Sequence, residues 1–317
     1  MGEGRRPLLP RRQQQAIRRR LLTWYATNHR SFPWRGVRDP WAVLVSEVML
    51  QQTQAGRVAE RFGRFLRRFP NAEEMAAAPE ADVLVAWSGL GYNRRALALR
   101  RAAAAISTDG WPREVDGLAR LPGIGPYTAR AVASLAFGMR VGVVDTNVRR
   151  WLIRRFGLDS DSTPATLQRV ADALAGADAL DGQADAWTHA SMEFGAAICR
   201  SRRPRCEECP IARGCPSRGL ARAVTVTRQP RFVGSQRAAR GAVLRRLSQS
   251  AGHRLSLRKL RRELSRLRPG IPHDASERAI ESLERDALVH RTAGILHLGS
   301  ARVEREGTAV IPTTIGG

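Results

Sequence analysis

Four cysteines fall within 17 residues: Cys199, Cys206, Cys209 and Cys215, spaced Cys-x6-Cys-x2-Cys-x5-Cys, and the 317-residue chain has no others. Thiolates this close can surround one metal centre. A compact run of this kind suits an iron–sulfur cluster. Structural zinc more often takes two CxxC-like pairs set far apart, whereas here one CxxC is flanked by single cysteines at unequal distances. Spacing alone leaves iron–sulfur and zinc equally open. A disulfide pair is disfavoured, because the N-terminal stretch MGEGRRPLLPRRQQQ is basic and polar, without the apolar core of a secretory signal.

Two acids could do complementary chemistry. Glu47 is the one acid in the apolar run Trp41–Leu50. Desolvation there should raise its pKa, leaving it able to hold and donate a proton near neutrality. A buried pair with an arginine is the alternative. Asp145 stands in VVDTNV, where an apolar stretch meets a helix start. As a cap it should stay ionised, favoured by exposed N–H groups and the positive helix end. Environments that push two carboxylates apart assign acid and anion roles.

A third feature could bind an anion. Residues 121–125 read Leu-Pro-Gly-Ile-Gly between two short helical patterns. Gly123 and Gly125 permit a tight turn with exposed N–H groups at a helix N-terminus, a site suited to a phosphodiester. Such contacts position a protein without reading sequence.

The elements that must hold these groups are mainly helical. The stretch 14–222 reads as nearly all helix. Asp39 and Pro40 supply a start signal for a long, interruptible helix over 39–69. A soft boundary falls near 220–236. Beyond it, 239–249, 256–267 and 276–291 read as helices, the last running into a short hairpin at 290–299, with 301–317 loosely ordered.

Net charge is +24, and Lys259 is the one lysine, so almost all of the positive charge is arginine. Arginine pairs bidentately with phosphate. A large positive excess on a chain with no apolar run near the ~20 residues that span a bilayer points to nucleic acid and a soluble, intracellular protein.

The ordered set SEVMLQQTQ (46–54), GLGY (89–92), LPGIGPYTA (121–129), VDTNV (144–148) and the cysteine run resembles the helix-hairpin-helix DNA glycosylase superfamily, and within it the adenine glycosylases of the MutY type. The resemblance covers about 14–220. It implies a two-lobed fold: an iron–sulfur lobe from 14–35 and 146–222 carrying a [4Fe–4S] cluster on the four cysteines, and a six-helix barrel over 36–145. It also implies that a base is flipped out of the duplex. Glu47 would protonate the adenine, Asp145 would stabilise the sugar cation, and Asn147 would brace that region. Tyr127 takes the place of a nucleophilic lysine of bifunctional relatives; tyrosine forms no imine, so the enzyme should be monofunctional. Tyr127 should hydrogen-bond near Asp145. Arg30, Trp34 and Arg35 would line the base pocket. Gln52, Thr53, Leu90 and Tyr92 would wedge into the stack, although core packing is the alternative for Leu90, Tyr92 and Trp34.

Two departures bear on substrate. No stretch reads as the nudix-like domain that many such enzymes use at 8-oxoguanine, and His189 stands where relatives often place Glu or Gln. The C-terminal residues 237–300 resemble a small winged-helix-like module, fitted either to backbone phosphates or to a repair partner. The expectation is a monomeric, cytoplasmic, nucleoid-associated glycosylase that removes adenine opposite 8-oxoguanine or guanine. A thymine/uracil mismatch glycosylase of the same fold is the nearest alternative. A non-catalytic DNA-binding regulator with a redox-sensing cluster is the other.

Overall fold

The computed structural model describes residues 9–177, 183–220, 235–267 and 273–301. The boundary segment 221–234 and the tail beyond 301 lie outside the described residues. Among the described residues no helix is long and apolar enough to cross a membrane. The chain forms two compact units, one of 1–79 and 89–230, the other of 80–88 and 231–317.

The first unit is helical. In order it holds α1 (Arg11–Asn28), α2 (Pro40–Leu50), α3 (Ala55–Arg68) and α4 (Ala72–Ala77); α5 (Glu80–Ala86) belongs to the second unit. Then follow α6 (Arg94–Asp109), α7 (Val115–Ala119), α8 (Pro126–Leu135), α9 (Thr146–Phe156), α10 (Pro164–Ala175) and α11 (Ala184–Ala197). The helix expected over 39–69 is broken at 51–54, separating α2 from α3.

Local chemistry explains the starts. The Asp39 carboxylate accepts from the amides of Trp41 and Ala42, and Pro40 occupies the first turn. All residues from Trp41 to Met49 are buried, as a helix apolar on every side requires. By contrast α3 buries one stripe, Val58, Phe62 and Phe65, and leaves Arg57, Arg64, Arg67 and Arg68 exposed.

One core of this unit gathers α1, α9, α10 and α11 around Leu21, Trp151, Leu152, Leu174 and Phe194. Helix α2 packs on α3, α6 and α8, and α11 packs on α8 as well as on α9 and α1. Close approach matters at Gly195: a Cβ there would stand 2.6 Å from the Asn147 carbonyl oxygen, so only glycine lets α11 meet the start of α9.

The second unit contains α12 (Gln236–Ser248), β1 (Arg254–Ser256), α13 (Leu257–Leu267), α14 (His273–Arg285), β2 (Val289–Thr292) and β3 (Ile295–Leu298). The strands form an antiparallel sheet ordered β1-β3-β2, with Leu255 opposite Leu296 and His290 opposite His297. The first two helices and the hairpin occupy the expected places; the third helix, expected to run to 291, ends at Arg285, because Val289–Thr292 pair with β3 as a strand. The sequence did not suggest β1, a strand of three residues. Helix α5 packs on α12 and β3, and the amide and hydroxyl of Ser300 donate to the Glu80 carboxylate at 2.9 and 2.7 Å.

Candidate active site

Glu47 sits in the last turns of α2 and is 5% exposed. Burial raises its pKa to about 7, against the lowering effect of a hydrogen bond with the Tyr127 hydroxyl; the charge of Asp145 raises it further and Arg35 lowers it. Tyr127, in the first turn of α8, therefore bonds to Glu47 rather than to Asp145, although Asp145 is near enough to raise the tyrosine's own pKa.

Asp145 is the N-cap of α9. Its Oδ1 accepts from the Val148 amide at 2.6 Å, and its Oδ2 accepts from Asn147 Nδ2 at 2.9 Å. Arg150 then donates to Asn147 Oδ1 at 2.9 Å, to the Gly195 carbonyl at 2.6 Å and to the Cys199 carbonyl at 2.7 Å. The cap is as expected, but the electrostatics differ. Burial raises the Asp145 pKa and outweighs the lowering by Val148, Asn147 and Arg150. A helix start does not cancel desolvation when the carboxyl is enclosed.

The segment between α1 and α2 lines the same region. Trp34 is buried, stacked on Phe32 at 4.8 Å and edge-on to Phe62 at 5.9 Å. Arg30 and Arg35 converge on Glu193 of α11: Arg30 Nε lies 2.5 Å from Oε1, and Arg35 Nη2 2.9 Å from Oε2. Glu193 was not anticipated. Its signal was available, since it is an acid in the largely apolar stretch ASMEFGAA, the same pattern that marked Glu47. One turn earlier His189 is buried, and desolvation with the charges of Arg35 and His29 lowers its pKa to about 3, so it is neutral.

Two turns flank α2 and α6. Gln52 is exposed with φ +54°, and Tyr92 is 42% exposed with φ +48°, both left-handed without being glycine. Thr53 Oγ1 donates to the carbonyls of Gln51 and Leu90, each at 3.3 Å. Leu90, expected as a wedge, is 2% exposed and packs inward; the exposed side chain of that turn is Tyr92. In the α7–α8 hairpin Gly123 has φ +76°, and a Cβ there would meet that of Ala98 at 2.5 Å. Gly125 is the N-cap of α8, and both glycines are exposed.

The four cysteines form no disulfide and line one cavity of about 430 Å³, its mouth included, with Trp151, Arg154, Arg155, Phe194, Ile211 and Ser217. Among the described residues, no three His, Cys, Asp or Glu stand close enough to hold a single metal ion. The cavity fits a larger thiolate-bound group. Trp151 Nε1, Arg155 Nε and Ser217 Oγ line it as buried polar atoms with no hydrogen-bond partner among the described residues. Arg154 donates to Cys199 Sγ at 3.6 Å. Burial raises the Cys209 thiol to about 11 and also raises that of Cys199. Such thiols favour the neutral form until a metal holds them as thiolates.

The chain is similar to known proteins. A family model described as HhH-GPD superfamily base excision DNA repair protein matches residues 45–175, from within α2 to the end of α10. An adenine DNA glycosylase of Mycolicibacterium smegmatis is 40% identical over 280 residues, 86% of this chain and 92% of that protein. A thymine/uracil-DNA glycosylase of Methanothermobacter thermautotrophicus is 32% identical over 202 residues, 62% of this chain and 90% of that protein. Among solved structures, a thermostable thymine-DNA glycosylase superposes with a TM-score of 0.60 at 30% identity, covering 66% of this chain and 97% of its own. The mycobacterial match is too long to end within the helical unit and must run into the C-terminal residues. On that breadth of identity, the chain belongs to the adenine DNA glycosylases of the HhH-GPD superfamily and is a DNA N-glycosylase.

Proposed function

We propose that this chain removes adenine mispaired with 8-oxoguanine or guanine, by hydrolysis of the N-glycosidic bond and without strand cleavage of its own. The observation that carries the reading is a buried carboxyl with a pKa of about 7 sharing one site with a second, capped carboxylate. The adenine is extruded from the duplex. Glu47, about half protonated at neutral pH, donates to the adenine ring and makes it a leaving group. As the C–N bond lengthens, positive charge grows on the sugar, and the Asp145 carboxylate faces it, oriented by Asn147 and the Val148 amide. Water then completes the hydrolysis. Tyr127 holds Glu47 in place and offers no amine for imine formation. Arg30, Trp34, Arg35 and neutral His189 line the base pocket, with Glu193 balancing the two arginines. Gln52, Thr53 and Tyr92 engage the stack, Leu90 following if the turn opens, and Gly123 and Gly125 offer backbone N–H groups to a phosphate.

Cys199, Cys206, Cys209 and Cys215 would hold a [4Fe–4S] cluster, which supplies a cross-link that orders their loop. The unpartnered donors around the cavity support a group with acceptor sulfurs. The purified protein is expected to be brown, with absorbance near ~400 nm; a colourless, zinc-loaded, fully active protein excludes the cluster. Residues 237–300 we read as a winged-helix-like module, from the order helix, strand, two helices and hairpin. Helix α14 carries Glu277, Glu281 and Glu284, charges unsuited to a DNA groove, whereas Arg258, Lys259 and Arg262 are exposed on α13. The module therefore suits backbone contact through α13.

A thymine or uracil mismatch enzyme is the second reading, favoured by the relatives of that name. Duplexes carrying A:8-oxoguanine, A:G, T:G and U:G, followed by alkali, separate the two. Scission is expected with the adenine pairs; scission with T:G or U:G alone refutes the adenine reading. Glu47→Gln is expected to bind duplex and release no base, and near-normal release by that variant removes Glu47 from the acid role.

A further inference from the structure

The last carbonyls of a helix lack intrahelical partners, and those at the end of α2 lie only a few residues beyond Glu47. Their partner comes from far along the chain. Arg95, in the first turn of α6, donates from Nη1 to the carbonyls of Val48 at 2.7 Å, Met49 at 3.1 Å and Gln51 at 2.5 Å. From Nη2 it donates to Thr53 Oγ1 at 3.0 Å and to the Gly91 carbonyl at 3.0 Å. The guanidinium also lies 5.4 Å from the centre of the Tyr92 ring. One planar cation thus meets three segments: the end of the Glu47 helix, the turn of Gln52, and the turn of Tyr92. Burial lowers its pKa to about 10, so it is still charged at neutral pH.

Both turns carry an exposed residue in the left-handed region, at Gln52 and Tyr92. Such backbone persists only where its surroundings hold it. The carbonyls that flank these residues are the ones Arg95 engages, so the same group supplies the restraint. Lysine, a point donor, could not span both turns as a planar fork does.

We propose that Arg95 is a positioning residue that locks the two duplex-probing turns to the helix of the catalytic acid, so that base extrusion and presentation to Glu47 happen as one event. This rests on the reading of the Gln52 and Tyr92 turns given above.

The test uses the full chain and a duplex with 2-aminopurine, an adenine analogue that brightens when unstacked, as the target base. Arg95→Lys keeps the charge and loses the fork. Extrusion and single-turnover excision are both expected to fall about ten-fold or more at a temperature well below the variant's melting point. Tyr92→Ala should slow extrusion by itself, yet add less than about two-fold on top of Arg95→Lys, because the two act as a unit. Penalties that multiply independently overturn the proposal. So does normal extrusion with lost excision, or a lowered melting point with extrusion and excision unchanged. If Arg95→Lys does not fold, Thr53→Val removes one acceptor and leaves the helix cap; the same coupling with Tyr92→Ala is expected, and independence overturns the proposal. A Tyr92→Ala protein with unaltered extrusion refutes the reading of the turn itself, whereas a defect without coupling refutes only the role of Arg95.

Discussion

Glu47 is held as an acid by its surroundings, and that has two measurable signs. Its folded pKa of about 7 lies above the 4.5 of an ordinary glutamate. The protonated form is the working form, so single-turnover excision is expected to fall as pH rises through about 7. For stability the sign is also fixed. Above 4.5 the unfolded chain releases this proton while the folded chain keeps it, so Glu47 disfavours folding progressively from pH 4.5 to about 7. Glu47→Gln should therefore be more stable than the parent at pH 8, by about 1–3 kcal/mol, and nearly equal to it at pH 4; equal denaturation midpoints at pH 8 contradict this. Glu47 and Asp145 were legible in the sequence because each is an acid at an unusual place, one inside an apolar run and one at a helix start. Glu193 carried the first signal too. Arg95 carried none: three of its acceptors are backbone carbonyls more than forty residues away, and carbonyls have no sequence.

Elements were legible where periodicity and capping agree. Asp39 with Pro40 fixed the start of α2, and Asp145 the start of α9. An interruption in 39–69 was foreseen but its place, 51–54, was not legible, because QQTQ contains neither glycine nor proline; it is a tertiary outcome, held by Arg95 and Thr53. Strand β1 was missed for a similar reason. Three residues are too short for an alternating pattern, and pairing with β3 creates the strand. At this scale α13 gives a prediction. Arg258 and Lys259 are exposed in its first turn. Replacing both by alanine should weaken duplex binding about equally for matched and mismatched DNA. The slope of log K against log salt should lessen by about 1–2, as expected for lost phosphate contacts. An unchanged slope, measured by fluorescence anisotropy across salt, takes α13 out of the DNA-binding surface.

For the molecule as a whole, composition and motif order were enough to indicate a mainly helical DNA glycosylase, and family membership bears this out. The grouping of α5 with the C-terminal residues was not visible, because nothing in EADVLVA distinguishes it from its neighbours. Yet Val83 and Leu84 are buried, and α5 packs on α12 and β3. A protein ending at residue 230 would lose those neighbours. It is expected to give less soluble protein and a lower melting temperature than the full chain, with the deficit eased by Val83→Ser; a truncated form as stable as the parent contradicts this.

The backbone enters and leaves the smaller unit by way of α5 before returning to it for good after residue 230. One scission at that point cannot set its two parts adrift, since the upstream piece still owns a helix that the downstream piece must fold around. Encoded as separate polypeptides and expressed together, 1–230 and 231–317 should find each other through that helix and purify as an equimolar pair.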